Sequence, residues 1–395
     1  MRKSRLYAFF SLLLLSILLV LSFIVQAQAD STWSIQTLDD NGSITRGTSL
    51  ALDSKNNPHL CYTAYEDGYY RNPRYLMYAS WNGSAWSIQN VTYDGRVGNS
   101  GLAVDSNNNP HIVYTDWRLI YASWTGEDWS LQIISSEEAL GFLVLDSVDN
   151  PNIVYSGANG ALKYAVLKDS NWSIQTVDTQ EGLESTPSLA LDSNDYPHIL
   201  YGYSTGNGNT TVKYAAWNGS SWNFQTVISN SDISFGNIAL DSRCYPHFTY
   251  YTNGLLTYAS WNGADWNTQI VDSTTGEGGP GFLIFDFINN PHISYFKRER
   301  YGDEFVMYAE WTGTSWGIQT VDSSSLIRLG SMVLDSSGSP HISYLAFLQN
   351  HIGSVMYAKG TPILSLTQIF GIALLVFLLL AIAIAVIVKR MVKKN

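Results

Sequence analysis

Six of the seven histidines share one context: His59, His111, His198, His247, His292 and His341 each follow a proline, six residues after an aspartate. Imidazoles and carboxylates repeated at fixed spacing invite a metal site. Asp105, Asn107 and Asn109 also match the Asp-x-Asn-x-Asn start of a calcium loop. Both readings weaken across the copies. Asp286-Phe-Ile-Asn and Asp241-Ser-Arg-Cys lack calcium ligands, and Asn152 stands where a histidine is expected. Histidines spread one per repeat cannot share an ion at bond lengths of about 2 Å. The expectation is therefore structural: the aspartate fixes a turn by accepting nearby amides, and each histidine bonds its own turn or a neighbouring unit. No metal or other cofactor is expected.

These residues belong to a unit that recurs with spacings of 41 to 52 residues, marked by turn aspartates at Asp53, Asp105, Asp146, Asp192, Asp241, Asp286 and Asp335. Each unit adds a Tyr-Ala pair (first at Tyr78, last at Tyr357) and a Trp that opens a further strand (first at Trp33, last at Trp316). The most compact copy predicts four strands, at Gly101–Val104, His111–Thr115, Ile120–Trp124 and Trp129–Ile134. Four short strands per unit at this period predict an all-β chain, a seven-bladed β-propeller. The marks are out of phase, since Trp33 precedes the first aspartate and no Trp strand follows Tyr357. Residues 33–38 should thus supply the outer strand of the last blade and close the ring, which leaves no exposed edge. Twelve of the thirteen tryptophans are repeat positions. That regularity assigns them to blade packing, with sugar-stacking platforms as the alternative reading.

The ends read differently. Residues 1–29 combine a basic start, an apolar run and Ala27-Gln28-Ala29, the pattern of a signal peptide. Residues 361–388 contain an apolar stretch that is free of charge and proline from Ile369 to Val388, enough for a membrane helix. The basic residues at 389–395 place that end in the cytoplasm. The expected partner is thus the membrane, held by one C-terminal helix, with the propeller of residues 30–360 outside the cell. Seven of the 22 basic residues lie in the two ends, whereas all 33 acidic residues lie in the body, which is left at net −18. Such a body repels nucleic acid and anionic lipid. Two cysteines at unlike repeat positions exclude a disulfide framework.

The turns of the type Ser80-Trp81-Asn82-Gly83-Ser84-Ala85-Trp86 and Ser260-Trp261-Asn262-Gly263-Ala264-Asp265-Trp266 resemble the Asp-box of sialidase-like propellers. They are one residue shorter and usually carry Asn for Asp. The resemblance covers residues 31–360 and implies the propeller fold. Sialidases of that superfamily hold a substrate carboxylate with three arginines and use a Tyr–Glu pair, but their Arg-Ile-Pro motif is absent here. Arg46, Arg96 and Arg328 each lie just before a first strand, in adjoining blades one, two and seven. Glu181 and Glu184 occupy the matching loop of blade four, and Glu137, Glu138 and Glu277 those of blades three and six. Two second-to-third-strand loops on the same face are long and polar. One contains Tyr69 within Tyr65–Arg74, and the other contains Arg298 and Tyr301 within Lys297–Glu304. Variable loops on a rigid scaffold are where binding resides. The leading expectation is a surface-anchored module that binds glycan or protein at those loops. The others are a structural envelope protein and a sialidase- or glycosidase-like hydrolase, which needs paired carboxyls or the Tyr–Glu pair.

Overall fold

The computed structural model describes residues 33–361 except 43, 66–73, 94–96, 99, 138, 158–159, 181, 184–185, 205–208, 232, 274–276, 300–301, 303, 325 and 348–352. The described residues form seven four-stranded antiparallel sheets. The innermost strands of successive blades pack side by side around a closed circle, with blade seven against blade one. In blade two the strands are Ser100–Val104, Pro110–Thr115, Leu119–Trp124 and Trp129–Ser135, within a residue or so of the expected bounds. The signal-like and membrane-helix stretches lie outside the described residues. No helix among the described residues is long and apolar enough to cross a membrane.

Closure occurs as the phase of the repeat requires. Ser34–Gly42 pairs antiparallel with Gly353–Lys359, with Ser34 opposite Lys359 and Thr37 opposite Met356. Blade seven therefore combines the two ends of the ring, and its sheet runs from the inner strand Leu326–Leu334 outward to Ser34–Gly42.

Three sets of contacts join neighbouring blades. In the first, each outer-strand tryptophan meets the Tyr-Ala tyrosine of the preceding blade. All seven pairs, from Trp33–Tyr308 to Trp316–Tyr258, are edge-on at 5.3 to 6.0 Å. Edge-to-face geometry suits the ring quadrupoles and adds to the apolar burial. Several of these indoles also donate to a glutamine of the preceding blade, as Trp33 does to Gln319 at 2.9 Å and Trp172 to Gln132 at 2.8 Å.

The second set lies at the axis. Ser331 Oγ accepts the Leu50 amide, Ser49 Oγ the Leu102 amide, Ser188 Oγ the Ile238 amide and Asn237 Oδ1 the Leu283 amide, each from the next blade, at 2.6 to 3.0 Å. The same position is Gly101, Phe142 and Phe282 in the other three blades, which cannot reach across. One residue earlier in the chain, Gly330 lets the inner strands close up. A Cβ there would sit 1.9 Å from Thr48 Oγ1 of blade one.

The third set links the aspartate turns. Each turn has a residue with positive φ three positions after its aspartate: Asn56, Asn108, Asp149, Asp195, Cys244, Asn289 and Gly338. The side chain of that residue accepts from the serine that follows the aspartate in the preceding blade. Ser54 N reaches Asn108 Oδ1 at 2.8 Å, and Ser147 Oγ reaches Asp195 Oδ2 at 2.6 Å. Where the acceptor is Cys244, its sulfur lies 3.7 Å from Ser193 Oγ. The blade six to seven junction has neither partner, since Phe287 replaces the serine and Gly338 the acceptor.

Candidate functional site

In six blades an aspartate, a histidine and a tyrosine stand together, the array that most resembles a catalytic relay. In blade seven, His341 Nδ1 is hydrogen-bonded to Tyr357 Oη at 2.6 Å and Nε2 to Asp335 Oδ2 at 3.2 Å. In the other five histidine blades Nδ1 also meets the Tyr-Ala hydroxyl, and Nε2 faces the turn carboxylate at 3.5 to 3.8 Å. Each histidine thus bonds the tyrosine of its own third strand; in blade seven it also bonds its own turn, whereas in the other five Nε2 only approaches the turn carboxylate. Asn152 reproduces the bond, accepting from Tyr164 Oη and donating its amide to the Asn150 carbonyl. The aspartates are already engaged: Asp53 Oδ1 accepts the amides of Lys55 and Asn57, and Oδ2 the Asn57 side chain. No group of three or more potential ligands among the described residues could hold a metal. Burial depresses the pKa of His59, His111, His198, His247 and His341 despite the nearby carboxylates, and takes His247 to about 4. An array repeated around the ring, with its tyrosine hydroxyls and turn carboxylates engaged within each blade, serves the fold.

The axis holds a cavity of about 880 Å³ lined by the first strands of all seven blades. Its described lining is alkyl, phenyl, hydroxyl and amide, from residues such as Ser100, Phe142, Thr186, Asn237 and Phe282. No carboxylate, imidazole or guanidinium belongs to that lining, so it supplies no general acid or base.

The two faces differ in kind. The turn face carries the linked aspartate turns and the tight Asn-Gly turns, in which Asn82 Oδ1 accepts the amides of Ser84 and Ala85. The loop face carries the second-to-third-strand connections and the crossings between blades. Arg96, Tyr69, Glu181, Glu184 and Tyr301 lie outside the described residues. Arg46 and Arg328 do not precede their strands, as the repeat suggests. The inner strands of blades one and seven begin early, at Ile44 and Leu326, and each carries a bulge. Arg46 therefore lies in strand Ile44–Leu52, opposite Thr63. Arg328 is exposed, with its guanidinium 5.8 Å from the Phe347 ring centroid. Arg298 ends strand Pro291–Arg298 and is held between two carboxylates, Glu277 Oε2 at 2.9 Å and the buried Glu304. Glu304 also accepts the Ile327 amide at the entry to blade seven. Between two glutamates of its own blade Arg298 has no excess charge for an anionic ligand, and it is Glu304 that makes the bond to blade seven.

One loop-face residue emerges only in three dimensions. Trp117, the tryptophan outside the repeat, forms the apex of the reversal between the second and third strands of blade two. Its φ is 78° and 55% of its surface is exposed. Positive φ in a bulky residue marks a strained backbone. Buried Asp116 builds the reversal: its amide donates to the Arg118 carbonyl at 3.0 Å, and its Oδ1 accepts Arg118 Nε at 3.0 Å. The crossing that bears Arg96 is pinned to the base of this reversal. Gly98 N donates to the Thr115 carbonyl at 2.8 Å, and Thr63 Oγ1 donates to the Gly98 carbonyl at 3.2 Å. Glycine at residue 98 allows this close approach, because a Cβ would lie 2.3 Å from Thr115 Oγ1 and require that hydroxyl to turn away. In the sequence the only signal was that one tryptophan failed to fit the register.

No protein-family model matches the sequence, and no curated protein matches it. Solved structures do resemble the fold. An ulvan lyase, a polysaccharide lyase, aligns with a TM-score of 0.55 at 12% identity over 85% of this chain and 98% of its own. YCF48 from Cyanidioschyzon merolae aligns at 0.54 with 15% identity, over 84% and 99%. A Dyadobacter fermentans protein of unknown function aligns at 0.51 with 10% identity, over 83% and 97%. At such identities the likeness establishes the seven-bladed fold and carries no activity with it.

Proposed function

We propose that this chain is a membrane-anchored extracellular propeller that binds glycan or protein at the cell surface through its loop face. Trp117 carries the reading. A half-exposed indole at the apex of a strained reversal, held by buried Asp116 and its partly exposed partner Arg118, suits stacking on a sugar ring or entering a partner's pocket. The contrast between faces supports it, because the turn face spends its polar groups on linking blades while the loop face varies in length and charge. Membrane anchoring rests on the apolar run to Val388 and the basic tail. The Asn-Gly turns, in which Asn82 does the work of an Asp-box aspartate, favour kinship with sialidase-like propellers. Hydrolysis draws no support from the described axial lining, which has no carboxyl pair.

The test is a glycan array probed with the detergent-solubilised full chain and its Trp117→Ala variant. A signal that falls tenfold or more in the variant, with an unchanged melting temperature, supports the reading. Equal binding by both proteins removes Trp117 from the site. If no glycan binds, photo-crosslinking from position 117 on intact cells tests the protein-ligand form, and absence of any crosslinked species overturns it.

A further inference from the structure

We infer that the turn face lies against the lipid bilayer, with the aspartate turns of blades three and six dipping into the interface. This rests on the membrane-anchored reading above, and begins from where the chain leaves the propeller. Gly360 N donates to the Pro340 carbonyl at 2.9 Å, and Lys359 pairs with His341, so the exit lies beside the Asp335 turn of blade seven. Eight residues, 361–368, precede the uncharged run that begins at Ile369. They span at most about 28 Å fully extended, against a body about 50 Å across for its length. A tether this short keeps the exit side of the propeller near the bilayer.

The apolar residues on that face fall where such a docking needs them. Phe287 and Ile288 form the tip of the blade six turn, one blade from the exit, and are 80% and 48% exposed. Val148 at the tip of blade three is 71% exposed. Other blades carry polar residues at Val148's position, such as Asn107 and Asn194. Phe287 also stands where every other blade has the linking serine, and the facing turn has Gly338 in place of the acceptor, so this junction carries a phenyl ring and no turn-to-turn link. Exposed apolar residues elsewhere behave differently. Ile35, Ile88, Leu131, Ile174 and Ile318 recur one per blade on the outer strands, spread around the rim, and cannot meet one plane together. Exposed aromatic and aliphatic tips on the face nearest a membrane anchor are suited to the headgroup boundary. Two lysines, Lys55 and Lys359, border a recess of about 440 Å³ on the same face beside the exit. Lys359 is paired with Asp335 at 3.0 Å, which leaves Lys55 as the cationic group at phosphate level there.

The experiment uses the full chain in phosphatidylcholine nanodiscs, in a Cys244→Ser background, with bimane attached at Phe287→Cys, Val148→Cys or, on the loop face, Asn253→Cys. Doxyl-labelled lipid should cut the emission of the first two at least twofold and leave the third unchanged. Flotation of the same proteins with liposomes reads anchoring separately. A chain that floats but is quenched at neither turn-face position overturns the docking and leaves the anchoring intact. Quenching at position 253 alone shows the opposite orientation and overturns it as well. A chain that does not float removes the anchoring and the docking together.

Discussion

Removing the indole of Trp33 should cost more than removing an equivalent indole inside the ring. The local contacts are nearly matched. Trp33 meets Tyr308 at 5.3 Å and donates to Gln319 at 2.9 Å, while Trp172 meets Tyr121 at 5.3 Å and donates to Gln132 at 2.8 Å. Both rings are half-buried. Losing about 100 Å² of buried apolar surface costs about 2.5 kcal/mol. The edge-on pair adds about 1 kcal/mol and the hydrogen bond about 1 kcal/mol. Trp172→Ala should therefore cost about 4.5 kcal/mol, within the usual range for such truncations. Trp33→Ala should cost this and more. Trp172 sits in a hairpin held by chain at both ends, whereas Trp33 begins the strand that closes the ring. Without its anchor that strand frays from its first residue, and Gly353–Lys359 becomes an edge. Urea unfolding followed by circular dichroism measures the stability, and amide hydrogen exchange locates the opening. Exchange across Gly353–Lys359 should accelerate in Trp33→Ala and stay slow in Trp172→Ala. Equal stabilities together with identical exchange in that strand would refute the idea that Trp33 holds the seam.

Three further outcomes follow from the contacts between and within blades. Burial holds five repeat histidines below their ordinary pKa, against the pull of the turn aspartates, while the unfolded chain takes up protons from about pH 6.5. Stability should thus be full above that pH and fall as pH drops toward 4, with His247 alone worth about 3 kcal/mol; a melting temperature constant from pH 7 to 4 contradicts this. The turn aspartates act in the same direction at lower pH, since hydrogen bonds from turn amides and side chains outweigh burial and hold Asp53, Asp105 and Asp241 low. Gly101→Ser should bridge blades two and three, because a Cβ there lies 3.8 Å from the Leu143 amide nitrogen, and should stabilise by about 1 kcal/mol in denaturant titration. Cys244→Asn should gain about 0.5–1 kcal/mol in thermal melts, since asparagine tolerates the φ of 62° and offers Ser193 the amide oxygen its counterparts provide; a loss of stability counts against the turn-to-turn link.

The blade count, the strand bounds and the closing strand were legible because each rests on residues that recur. The offset between Trp33 and Tyr357 was enough to assign Ser34–Gly42 to the last blade. The histidines were legible as structural because Asn152 stands in for one, and asparagine can make the same bond to tyrosine. The links between turns were hidden, because their acceptor is Asn, Asp or Cys. What these residues share is a positive φ and a side-chain acceptor, which sequence identity does not display. Arg46 and Arg328 were expected in loops because bulges extend their strands beyond what the repeat marks. Arg298 looked available because its partner Glu304 is distant in register until the hairpin folds, when the two face each other across it. Trp117 was not legible as a loop-face residue because its exposure and positive φ come from the fold of the Asp116 reversal, which no repeat mark encodes.

Closure also has a mechanical meaning. The strand from which the chain leaves, Gly353–Lys359, is flanked by Pro340–Phe347 on one side and Ser34–Gly42 on the other. A pull on the chain beyond Gly360, as when an anchored protein grips a moving ligand, acts along that strand. Both antiparallel ladders then bear the load in shear, many hydrogen bonds at once, from Ser34–Lys359 on one edge to His341–Lys359 on the other. Had the chain begun and ended at a blade boundary, the exit strand would lie at an edge with a single ladder. Closing the ring inside a blade thus also makes the attachment a clamp, with its last residue tied to Pro340.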